Sequence, residues 1–416
     1  MRLPVLPILL AGALALTGCG SSNEPVDPAD EPLTLTVQAA GGEGELRAVQ
    51  SLLDAFSASK PGLEISFTGV PSQGDHIAKL AASFAGGAPP DVFLLNYRRL
   101  GSFVDRGVVL PPSTEGLDEL YPQPVEAFTY EGAPACLPTN ASSTVAYVNT
   151  ALFAEAGVAL PTSAWTWDDL TAAAKAFDAK GIAAVGFEVG LRNSAPFVWT
   201  AGGEVVDDTA APTSTTLDTP QAKEALAYLA SLQDYGVDAT ARAATEPVDL
   251  FEQGKLAVFF DSRRSVPAFR KAEGLAFDVV PLPRKDAATP STTLLASDAY
   301  CVAKASKSPT LAAELARFAV FGQGATILAE SGRTVPVQMA LAESPAFLAP
   351  SLAPKAAQVF LDAITTTKRL PNVAGQDEVE EAADDLLTQY FAGKASLDET
   401  VKKVDEDTAA IYGQER

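Results

Sequence analysis

A chain of 416 residues with 47% hydrophobic content is long enough for two or three domains and can fill large cores. Its formal charge of −22 disfavours nucleic acid and anionic lipid surfaces, which need clustered Lys and Arg. One histidine, His76, and three cysteines, without His-x-x-x-His or Cys-x-x-Cys spacing, argue against a transition-metal site, and no cofactor is expected.

At the N-terminus, Arg2 precedes an apolar run from Leu3 to Leu16 that ends in Leu16-Thr17-Gly18-Cys19. The run is shorter than the roughly 20 residues that span a bilayer core, and small residues open the backbone just before Cys19. This resembles a bacterial lipoprotein leader: residues 1–18 are expected to be removed and Cys19 to be acylated. Residues 19–32, rich in Ser, Asp, Glu and Pro, read as a solvated tether that leaves the body outside the cytoplasm, held to the membrane by lipid.

From Leu33 the pattern becomes that of a folded domain. Leu33, Leu35 and Val37 alternate with polar residues, predicting a strand; Gly41, Gly42 and Gly44 follow, and Leu46 to Phe56 recur at helical spacing until Pro61-Gly62. Leu63, Ile65 and Phe67 predict the next strand, completing a parallel unit whose ligand contacts belong at the carboxyl ends of its strands, 38–45 and 70–73. His76 to Phe84 predicts a helix. Asp91 to Tyr97 predicts a fully buried strand with Asn96 and Tyr97 emerging at its end.

The stretch Ala135 to Asn149 reads as a first crossing between two lobes, broken at Pro138-Thr139 and resuming as a strand from Thr144. Ser297 to Ala305 reads as its partner; each carries one of the two cysteines outside the leader, with Asn140 and Tyr300 placed to face a cleft. Between them, helices are predicted over 151–156, over Pro161–Phe177 with Thr166 or Asp168 at its start, and over 218–232 ending at Gly236. Trp199-Thr-Ala-Gly-Gly reads as a loop. Strands are predicted at 256–260, followed by Asp261-Ser-Arg-Arg-Ser-Val-Pro267, and at 277–280. A helix over 311–318 leads to Ser331–Pro336, a possible third crossing, and the remainder is helical, with helices over 379–390 and 396–410.

These stretches carry a resemblance. Leu52-Leu-Asp-Ala-Phe56 with Pro61-Gly62, Ala88 to Leu94, Leu137-Pro-Thr-Asn140 with Tyr147-Val-Asn149, Leu152 to Gly157, Trp167-Asp-Asp-Leu170, Phe251 to Ala257 and Ser331 to Pro336 are together similar, in order and spacing, to the extracellular solute-binding proteins that feed sugars to ABC importers. The resemblance implies an α/β, two-lobed periplasmic-binding-protein-like fold of type II with crossing hinge strands, closing on a solute. By analogy the N-terminal lobe takes 33–138 and 298–336, and the C-terminal lobe 139–297 and 337–416. A monomer partnered by permease subunits is expected.

Sugar recognition needs a flat apolar surface for C–H faces and fixed hydrogen-bonding groups for hydroxyls. Tyr97, Trp199 and Tyr300 are candidates for the surface; Glu43, Asn96, Asn140, Asp261 and Arg333 are candidates for the hydrogen bonds. Arg264 stands where the family commonly places an aromatic residue, so a stacking platform is expected to be missing there. Trp165 and Trp167 read as packing residues. Cys136 and Cys301, on crossings expected to lie side by side, are expected to form a disulfide, the alternative being two buried thiols.

A charged solute, such as glycerol 3-phosphate or a peptide held by Arg263, Arg264 and Arg333, is the rival reading. A glycoside-active enzyme is disfavoured. Adjacent acids such as Asp168-Asp169 point in different directions, the single histidine and absent Gly-x-Ser-x-Gly exclude most serine triads, and Arg47 replaces the third glycine of a dinucleotide fingerprint.

Overall fold

A computed structural model describes residues 33–235 and 245–414. The expected leader, Cys19, the tether and the Gly236 helix end lie outside the described residues. Two mixed sheets organise the chain. In the first, Leu63–Val70, Leu33–Ala40, Val92–Asn96, Asp298–Ala303 and Val109–Leu110 lie side by side in that order, and Leu137–Pro138 also pairs with Asp298–Ala303. The 33–40, 63–70 and 92–96 strands run parallel, and 298–303 returns antiparallel against Val92–Asn96. The second sheet is ordered Ala183–Gly186, Leu256–Asp261, Val145–Asn149, Phe277–Val280, with only the first pair parallel.

The central strands of both sheets are buried on both faces, as their continuous apolar runs require. In the first, Leu35, Val37, Leu94 and Tyr300 pack against the Glu43–Ala58 and Pro309–Phe321 helices. Phe93, Leu95 and Cys301 point the other way, with Leu80 and Phe128. In the second, Val148, Val258 and Phe260 face one core, while Tyr147, Phe259 and Phe277 face another that includes Phe347 and Phe360. The alternation is the pleat acting on residues two apart.

Local signals explain the element ends. Thr166 caps the Trp167–Asp178 helix in a reciprocal box with Asp169, not Asp168. Trp167 stacks on Tyr228 with ring centroids 4.3 Å apart, and Trp165 donates its indole N–H to Pro281 O at 2.8 Å. His76 is a structural residue: its Nε2 donates to Leu94 O at 2.7 Å, so Nδ1 is free to accept from Gln38 Nε2 at 3.1 Å. Burial pushes its pKa down, in keeping with a neutral ring.

The crossing segments are held together by short antiparallel contacts. Leu295 and Ala296 pair with Ser143 and Ser142 in a three-stranded sheet, Thr139 N donates to Asp298 O at 2.8 Å, and Ala141 N donates to Val335 O at 2.9 Å. The Ser331–Pro336 stretch thus joins the crossing through the Asn140–Pro336 bridge. Cys136 and Cys301 are disulfide-bonded, with Cα atoms 4.6 Å apart, inside the first-lobe core beside the crossing. The C-terminal Gln376–Phe391 helix packs on the second lobe's Leu191–Thr200 helix, yet its first turns also reach the first lobe, where Glu380 and Asp377 pair with Arg98 and Arg99. Among the described residues no single helix is long and apolar enough to cross a membrane.

Candidate functional site

The carboxyl ends of the parallel strands converge on one region. In the first lobe, Ala40, Val70 and Asn96 end their strands there; in the second, Gly186 and Asp261 do. This is where an open α/β sheet offers side chains and loop backbone to a ligand.

The first-lobe wall is a closed polar network. Asp298, at the start of the returning strand, accepts from Asn96 Nδ2 at 3.0 Å and Asn140 Nδ2 at 3.2 Å, while its own N–H donates to Asn140 Oδ1 at 3.3 Å. Asn96 Oδ1 in turn accepts from Arg98 Nε at 3.1 Å, and Arg98 pairs with Glu380. Glu45 faces the same region: Gly41 has no Cβ, and one built there lies 2.3 Å from Glu45 Oε2, so only glycine lets the carboxylate fold over the strand end. Burial pushes the Glu45 pKa up against the opposing pull of Arg333. Glu45, Asn140, Asp298, Tyr300 and Arg333 line a small cavity of about 30 Å³.

The second-lobe wall is charged. Asp261, buried at its strand end, accepts from Arg264 Nε at 3.0 Å, and Arg264 Nη2 donates to Glu188 at 2.7 Å. Burial raises the Asp261 pKa, and Arg264 works against that rise. Arg333 spans the walls, pairing through Nε with Glu45 at 2.8 Å and donating from Nη1 to Arg264 O at 3.4 Å.

Asn96, Asn140, Asp261, Arg264, Tyr300 and Arg333 are therefore brought together, although Tyr300 is buried within the first-lobe core. Three of the expected residues are not. Glu43 is on the exposed side of its helix, paired with Arg47 one turn on, and Glu45 takes the inward direction. Tyr97 is fully buried; its hydroxyl accepts from Leu370 N at 3.2 Å and fastens the chain before the C-terminal helices. Trp199 is in the last turn of the Leu191–Thr200 helix, not in a loop, and lines a separate cavity of about 600 Å³ with Gln123, Glu126, Glu204, Lys368 and Arg369. Arg263, offered as a counter-charge for a charged solute, is wholly buried, donating to Gly332 O and Phe347 O with its guanidinium 4.0 Å from the Phe347 ring centre. It braces the third crossing and does not face the cleft.

Glu45, Arg98, Glu188, Asp298 and Glu380 are not among the candidates named from the sequence. Arg98 and Glu188 were within reach of the carboxyl-end rule, since each stands two residues beyond a strand. Glu380 belongs to a long helix whose acids read as a solvated face. A larger cavity of about 1100 Å³, bounded by Phe187, Leu250, Tyr390 and Phe391, is lined by the second lobe alone.

Two α/β lobes joined by crossing strands, with polar walls opposed at their strand ends, define a two-lobed solute-binding protein. The chain belongs to the bacterial extracellular solute-binding protein family, whose model matches residues 51–355. Solved structures repeat the fold over nearly the whole length. An ABC substrate-binding protein from Listeria monocytogenes in complex with cycloalternan is 21% identical, with a TM-score of 0.83 over 92% of this chain and 100% of that one. An ABC transporter solute-binding protein from Thermotoga lettingae bound with α-D-tagatose is 21% identical, with a TM-score of 0.79 over 92% and 100%. The cyclic α-maltosyl-1,6-maltose binding protein of Arthrobacter globiformis is 21% identical, with a TM-score of 0.76 over 92% and 100%. Among curated proteins no sequence matches. The chain is therefore an extracellular solute-binding protein, a family of binders rather than of enzymes.

Proposed function

We propose that this protein captures a sugar or oligosaccharide between its lobes, closes over it by hinge motion, and delivers it to the permease of an ABC importer. The observation that carries the reading is the opposition of the two walls across the crossing strands. Asn96, Asn140 and Asp298 offer fixed donors and acceptors on one side, Asp261, Glu188 and Arg264 do so on the other, and Arg333 touches both. Closure excludes the water that competes for such groups, which strengthens each hydrogen bond to a hydroxyl.

The sugars named for the Listeria, Thermotoga and Arthrobacter proteins support the substrate class. The body functions as a monomer, acts as a binder and not a catalyst, and is tethered to the membrane through acylated Cys19. The first lobe comprises 33–138 and 298–336. Thermal-shift measurement of the mature chain against mono- and oligosaccharides, glycerol phosphates and peptides tests the reading. A bound sugar at a hundredfold excess over its Kd adds about 2.7 kcal/mol of stability. Stabilisation by peptides alone overturns it.

A further inference from the structure

The second-lobe wall holds an arginine with one buried nitrogen left unpartnered. Arg192 starts the Leu191–Thr200 helix and is half-buried, and its Nε is buried without a hydrogen-bond partner. Among the described residues it makes no ion pair, whereas the arginines around it do: Arg98 with Glu380, and Arg264 with both Asp261 and Glu188. Asp384, on the packed Gln376–Phe391 helix, accepts from Leu191 N at 2.6 Å. The strongest influence on Arg192 is the Arg98 guanidinium, followed by burial, and Arg264 adds to both; together they push its pKa down, while Glu380 opposes them. The Leu191–Thr200 helix packs on the helix that carries Glu380 and Asp384, and of Arg98, Arg192 and Arg264 it is Arg192 that has no ion pair among the described residues. A guanidinium nitrogen without an acceptor costs stability; Arg263 bears that cost sealed in the core, whereas Arg192 is part-exposed and a ligand can reach it.

We infer that Arg192, flanked by Arg98 from the first lobe and Arg264 from the second, receives an oxyanion carried by the captured sugar, a carboxylate or a phosphate. The inference rests on the sugar reading above and narrows it to acidic sugars. A planar guanidinium fork matches both groups in two parallel hydrogen bonds.

The test is calorimetric titration and thermal shift of the full mature chain with trigalacturonate, glucose 6-phosphate, maltotriose and inorganic phosphate, for the wild type, Arg192→Gln and Arg192→Lys. The expected result is tighter binding of one acidic sugar than of maltotriose, with Arg192→Gln lowering the acidic-to-neutral affinity ratio about 10- to 100-fold and Arg192→Lys less. Without added sugar, Arg192→Gln is expected to melt no lower than the wild type, which a purely structural role would not allow. The two acidic probes distinguish carboxylate from phosphate. Maltotriose bound as tightly as either acidic sugar, with a ratio that Arg192→Gln leaves unchanged, overturns the anion inference and leaves the sugar reading standing. Stabilisation by inorganic phosphate alone, lost in Arg192→Gln, removes the sugar and keeps the anion. If no probe binds, both fall.

Discussion

The two walls of the cleft are built on opposite principles. On the first-lobe side every polar group of the Asp298 network has a partner, so Asn96 and Asn140 are held before any ligand arrives. On the second-lobe side Arg264 is balanced by two carboxylates, whereas Arg192 makes no ion pair among the described residues and its Nε has no acceptor. Neighbouring Arg263 and Arg264 differ in another way within one turn: the first, with no ion pair among the described residues, is sealed against Phe347 and Phe360 and braces the fold, while the second is 41% exposed, paired with Asp261 and Glu188, and faces the cleft. A satisfied network fixes geometry, and an unpartnered group stores affinity only where a ligand can reach it.

The largest expected effect sharpens the stable side. The Cys136–Cys301 bond closes a separation of 165 residues within the first lobe. Reduction, or the double Cys→Ser variant, is expected to cost about 5 kcal/mol in the chain-entropy picture, read by denaturant melts with and without reductant. Next, Gly101→Ala places a Cβ 2.3 Å from Val373 C, where the first lobe meets the chain leading to the C-terminal helices. Backbone cannot yield as a side chain can, and a loss of about 3 kcal/mol is expected by the same melts. Asp298→Ala removes the carboxylate that accepts from the Asn96 and Asn140 amides and is expected to cost about 2 kcal/mol. If it costs no more than a surface change, the contrast between the walls fails.

Smaller effects follow from acids around the C-terminal helix. Asp377 and Asp384 are each pushed up to about 6, chiefly by burial. Their folded values exceed the unfolded one, so the folded state binds more protons as pH falls from about 6 towards 4, and stability rises over that window. Asp91, held below its ordinary value by Ser306 and Thr36 despite burial, acts in the opposite sense at lower pH. Calorimetric Tm is therefore expected to climb from pH 7 to roughly 4.5 and then fall, with Asp377→Asn flattening the climb. Glu43→Ala, at an exposed i,i+4 pair, is expected to change stability by less than about 0.5 kcal/mol.

Much of this architecture was legible in the residues because local and global signals agree. Alternation at Leu33–Val37, the buried run to Asn96 and the proline stops place strands and helices that the fold keeps. The cleft was harder to read. Pro196 hides the Leu191–Thr200 helix, since an interior proline reads as a break, and with the helix went Arg192. Glu43 and Glu45 are indistinguishable by composition; the choice rests on which one Gly41 admits. Tyr97 and Trp199 emerge near strand or helix ends, yet the core claims both aromatic bodies.

The most direct test of solute capture between these walls is a crystal structure of the mature protein with the tightest-binding sugar found in the titrations. The sugar is expected between Asn96 and Asp298 on one side and Glu188 and Arg264 on the other, with its acidic group within hydrogen-bond distance of Arg192. A sugar seated instead in the Trp199–Lys368 cavity, or held by one lobe alone, would contradict it.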